Sequence, residues 1–166
     1  MSLSDKELRV YSGEHLLYEI EMMLDVLQVD TSNLPPRFRG NMTVELFGLH
    51  LRNLITFLYP TRNQQDTDVY ARDYFSDKGE WERIAPPLSA TLDTARRRAN
   101  KELGHLTTER IDGFQDRKKW GIASLTEEIV PILQLFCSSA NKLKLDDSVA
   151  QLVSPSGFHL RRAVEV

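Results

Sequence analysis

Thr43-Val44-Glu45-Leu46-Phe47-Gly48-Leu49-His50-Leu51-Arg52-Asn53-Leu54-Ile55-Thr56-Phe57-Leu58-Tyr59 is the stretch on which the fold turns. At 100° per residue, only Glu45, Arg52 and Thr56 form a polar stripe, and apolar side chains cover nearly all the remaining circumference. A helix of that kind belongs at the centre of its domain, because more than one face must be covered by neighbours. Pro60 ends it, since proline cannot continue the hydrogen-bond ladder. Within the helix, His50 and Asn53 fall on the same face as Leu46 and Phe57. A buried polar group left without a partner costs about 1–3 kcal/mol, so both side chains require one. The sequence offers two solutions: they bond to each other, or to backbone on a neighbouring helix. Arg52 is expected on the exposed side.

The flanking segments supply the neighbours. Ser4-Asp5-Lys6-Glu7 has the form of a capping box, in which serine and glutamate satisfy each other's orphan amides. Behind it Leu8, Tyr11, Leu16, Ile20, Met23 and Leu24 repeat on one face, with His15 and Leu27 on the same stripe, which predicts a long helix from Asp5 to Gln28. Pro35-Pro36 reads as a stop followed by a loop to Asn41. Asp66 to Ser76 predicts a short amphipathic helix, and Asp77 to Glu80 a cap for one more turn holding Trp81 and Ile84. Pro86-Pro87 opens the next long helix, where a missing amide is harmless. Leu88, Leu92, Ala95, Ala99, Leu103 and Leu106 form its buried face. Ser124-Leu125-Thr126-Glu127 caps a last long helix running to about Leu143, with a kink expected at Pro131. The expectation is therefore an all-α fold: a helical bundle of four long helices plus one or two short ones, in a single domain over 1–144. Residues 145–166, with Ser154-Pro155-Ser156-Gly157, are expected to form a C-terminal tail.

Composition narrows the function classes. With 41% apolar and 27% charged residues in 166, the chain can build a core without staples. Cys137, alone in the sequence and set in Ile132-Leu133-Gln134-Leu135-Phe136, is expected to be a small buried hydrophobe in a reducing, cytoplasmic setting. No run of about 18 apolar residues exists to cross a membrane, and no signal-type segment opens the chain. The net charge of −3 argues against a generic nucleic-acid binder. The charge is nevertheless polarised. Residues 1–35 carry −5 through Asp5, Glu7, Glu14, Glu19, Glu21, Asp25 and Asp30 against Lys6 and Arg9, whereas residues 96–119 carry +4. Such a distribution can steer an anionic partner or pair one helix with another.

The common catalytic signatures are missing: no glycine-rich phosphate loop, no paired-cysteine framework, no His-Glu-x-x-His. One Glu-x-x-His pair, Glu102 and His105, is too little for a metal bundle, and the residues ask for no metal and no cofactor. Two polar clusters remain. His50, Asn53 and Asn100 with Glu102 are candidates for a polar pocket between helices. Arg98, Glu102 and His105 stand at i, i+4 and i+7 and line one strip. A guanidinium there could grip two phosphate oxygens while an imidazole moved a proton near neutral pH. The competing reading of that strip is a solvated face with an Arg98–Glu102 pair.

The segments Leu49-His50-Leu51-Arg52-Asn53-Leu54 and Asn100-Lys101-Glu102-Leu103-Gly104-His105-Leu106-Thr107 resemble those of a set of small helical bacterial proteins of uncharacterised function. That resemblance implies a fold and no activity. The chain also resembles, more loosely, HEPN domains, helical bundles of prokaryotic toxin and defence systems. Many of these carry arginine and, after four to six intervening residues, histidine, and act as metal-independent ribonucleases, often as homodimers. Arg98 and His105 fit that spacing, although Ala99 stands where the active members usually carry a polar residue. The resemblance implies Arg98 and His105 as catalytic residues and RNA as the partner. The alternative is a non-catalytic, antitoxin-like or adaptor module that binds a partner protein.

Overall fold

The computed structural model describes residues 3–61, 65, 67–104 and 119–154, and every regular element among them is helical. A first helix runs through α1 (Asp5–Tyr11), a π-helical turn (Ser12–Leu16) and α2 (Leu17–Asp25). Then come α3 (Pro36–Leu58), a 3-10 turn (Ala71–Tyr74), α4 (Glu80–Ile84) and α5 (Ala90–Arg98), which continues into a second π turn (Ala99–Leu103). α6 (Ile122–Ser139) and α7 (Asp147–Leu152) complete the set. The all-α expectation holds. No helix among the described residues is long and apolar enough to cross a membrane.

The capping box at Ser4 is formed as expected: the Ser4 amide donates to Glu7 at 2.8 Å, and the Glu7 amide donates to Ser4 Oγ at 3.3 Å. The two double prolines act in opposite ways to those expected. Pro35 is extended and Pro36 is the first residue of α3, so the expected loop to Asn41 is helix. The tolerance for proline in a first turn applies there. At Pro86-Pro87 the helix waits for Ser89, whose hydroxyl accepts from the Leu92 amide at 3.0 Å. A side chain that satisfies an orphan donor outweighs a merely compatible ring. Of the helix expected over Asp66–Ser76, whose first residue lies outside the described ones, the part from Thr67 on forms only the 3-10 turn, and α6 starts at Ile122, ahead of the Ser124 box. α6 continues through Pro131, which is exposed.

α3 is the central helix. Phe47, Leu51, Leu54, Ile55 and Leu58 are all at most 1% exposed, each contributing roughly 1.5–3 kcal/mol of burial. At its C-terminal end an aromatic cluster forms around Phe136 of α6. The rings of Phe57, Tyr74, Phe75 and Trp81 lie 5.2, 5.6, 6.2 and 5.7 Å from it. Trp81 Nε1 donates to the Leu58 carbonyl at 2.7 Å, capping one of the last α3 carbonyls, which lack an intrahelical partner.

The stretch expected to begin a tail is packed as far as it is described. Leu145, Val149 and Val153 are at most 1% exposed. Arg9 of α1 donates to the Leu145 and Lys142 carbonyls at 2.8 Å each and to Asp147 at 2.9 Å. The Asp146 amide donates to Ser12 Oγ at 2.9 Å. A boundary at 144 therefore cuts through packed chain, and residues 155–166 lie outside the described ones. Val149→Ala, which removes two buried methyl groups, is expected to lower the unfolding free energy by about 2 kcal/mol in urea titration. An unchanged midpoint would mean that α7 does not belong to the core.

Candidate functional site

His50 is 4% exposed, and its partner is a side chain that the helical pattern does not single out. Its Nδ1 lies 2.8 Å from Glu19 Oε2, and Asn53 Nδ2 donates to the same oxygen at 3.1 Å. A carboxylate only accepts, so Nδ1 carries the proton. The ring edge of Tyr18 closes the imidazole at 5.6 Å and 81°. The requirement for a partner was legible from the helical face. Its identity was not, because Glu19 lies 31 residues away and looks like one acid among seven in the first 35 residues. Asn100 is half-buried in the second π turn and takes no part in this set.

Beside the network a cleft of about 560 Å³ opens between the first helix, α3 and the segment 67–70. The π turn re-aims one side of it. A π turn inserts an extra residue into the helical ladder and often marks a functional stretch; here it carries His15, whose ring packs 4.8 Å from that of Tyr11. Leu16, Leu54 and Phe57 supply the apolar lining. Burial first, and then the charges of Glu19 and Asp68, raise the Tyr11 phenol above its ordinary value. Asp68 accepts from the Tyr70 hydroxyl at 2.8 Å. Arg52 and Thr56, expected to face solvent, are half-buried and line this cleft.

The strip built on α5 is arranged around Arg98. Its Nε donates to Glu102 Oε1 at 2.8 Å and its Nη2 to Glu102 Oε2 at 3.0 Å. Nη1 donates to the Lys119 carbonyl at 3.2 Å, and the guanidinium lies 4.6 Å over the Trp120 ring. The same region touches α3. A Cβ added at Gly48 would come within 2.6 Å of Leu103 Cδ1 and 3.3 Å of Trp120, so glycine is what lets the second π turn approach. His105 lies outside the described residues. Cys137 is buried, and that burial pushes its thiol up to about 12, the opposite of what a nucleophile needs. Comparison with protein-family models, curated proteins and solved structures finds no match to this chain.

Removing the shared carboxylate leaves a buried imidazole N–H unsatisfied. Glu19→Ala is accordingly expected to cost about 1–3 kcal/mol of stability. The double variant Glu19→Ala/His50→Leu should recover part of that loss in thermal unfolding. Fully additive effects of the two substitutions would refute the coupling.

Proposed function

We propose that the protein is a non-catalytic helical interaction module of the cytoplasm, antitoxin-like or adaptor in kind, that engages a partner protein. The observation carrying this reading is the state of Arg98. In a ribonuclease site its guanidinium would present two donors to the scissile phosphate. Here the paired donors are held by Glu102, a third by the Lys119 carbonyl, and one face of the guanidinium by the Trp120 ring. The Glu102 carboxylate would also repel a phosphate approaching along that edge. The cation works as a brace between α5 and the chain entering α6, which suits a scaffold.

A second reading, a HEPN-like, metal-independent ribonuclease acting as a homodimer, is supported by one feature: the π turn Ala99–Leu103 lies between Arg98 and His105, and such turns favour functional stretches. In that reading Glu102 releases the guanidinium when phosphate arrives, and His105 acts as general acid or base.

The two readings separate on one set of measurements. Purified protein is incubated with single-stranded and hairpin RNA without added metal, beside Arg98→Ala and His105→Ala. The module reading expects intact RNA throughout and a loss of about 1–3 kcal/mol in the unfolding free energy of Arg98→Ala. Cleavage by the parent that both substitutions abolish, at unchanged melting temperature, overturns the module in favour of the ribonuclease.

A further inference from the structure

We infer that the cleft between the first helix and α3 is a binding site for a small zwitterion of net positive charge, a diamino acid by chemical class. It is independent of the strip on α5 and of either reading of Arg98.

The cleft is built rather than incidental. Three separate stretches of chain converge on it, and its volume of about 560 Å³ lies within the usual range of small-molecule sites. Its two carboxylates are both held in place by one oxygen. Glu19 Oε2 is fixed by His50 and Asn53. Asp68 Oδ2 is fixed by the Tyr70 hydroxyl at 2.8 Å and the Gln65 amide at 3.2 Å. Each carboxylate thus has a second oxygen to offer, and both line the cleft together with Tyr11.

The third charge in the cleft is Arg52. Among the described residues no carboxylate lies within ion-pair distance of it, although two line the same cleft. The site therefore keeps its charges apart: two negative groups and one positive group around an apolar lining. A ligand that satisfies all three carries two cations and one carboxylate joined by an aliphatic chain. Its cations would meet Glu19 and Asp68, with the ring faces of Tyr11 and His15 beside them, and its carboxylate would meet the planar fork of Arg52. The methylenes would cover Leu16, Leu54 and Phe57.

The test uses the whole chain and L-lysine as probe, with L-norleucine, n-butylammonium and acetate as controls that each lack one or more of the three charges. NMR spectra are followed for the side chains of Tyr11 and His15. The expected result is a saturable shift with L-lysine below about 10 mM, and at least about tenfold weaker binding of every control. Arg52→Gln and Asp68→Asn, at half-buried and exposed positions, should each weaken L-lysine by about tenfold at unchanged melting temperature. Three outcomes overturn the inference: no saturable shift with L-lysine, equal binding of any control, or full binding by both variants.

Discussion

The carboxylate of Glu19 joins α2 to α3 through a single oxygen that receives both His50 and Asn53. Much of the geometry on that side of the molecule follows from it. A helix that packs through apolar side chains alone can slide or rotate at small cost, because dispersion is not directional. The donor pair on α3, His50 buried and Asn53 half-buried, favours the rotation of α2 that presents Glu19. That rotation also sets Tyr18 against the imidazole. It brings Tyr11, His15 and Glu19 to the same cleft as Arg52 and Asn53. The packed network specifies register as well as contributing stability.

The charged residues of this chain work inward more than its composition suggests. Arg96 donates to the Tyr59 carbonyl just beyond the end of α3, and Lys142 donates to the Cys137 carbonyl in the last turn of α6. Lys144 reaches the Asp73 and Phe75 carbonyls around the 3-10 turn, and Arg9 holds the entry to α7. Each contact satisfies a carbonyl that a helix end or a turn would otherwise leave open. Arg96 and Arg98 are structural cations, which is why a net-charge argument about anionic partners carries less weight than the residue count implied.

Two π turns interrupt otherwise regular helices, and each lies where a polar group is needed. The first, Ser12–Leu16, carries His15 to the cleft, and its Ser12 hydroxyl receives the Asp146 amide of the chain leading into α7. The second, Ala99–Leu103, brings Glu102 under Arg98 and Leu103 against Gly48. The extra residue in each case re-phases the side chains that follow. The strip drawn at 100° per residue from Arg98 is re-phased over Ala99–Leu103, the part of it that lies within the described residues.

The sequence by itself determined the helical class, the central place of α3, the Ser4 capping box, the buried inert thiol and the need of His50 and Asn53 for partners. These follow from periodicity and from the chemistry of single residues, which are local. The behaviour of the two double prolines, the re-phasing at the π turns and the packing of Leu145 to Val153 were decided by competition among neighbours. Only the tertiary structure chose Glu19 for His50, Trp120 for Arg98 and a cleft wall for Arg52. A hydrogen bond between residues 31 apart, or a ring under a guanidinium 22 positions away, leaves no periodic trace. Side chains of one charge type are interchangeable along the chain until packing brings one of them within reach.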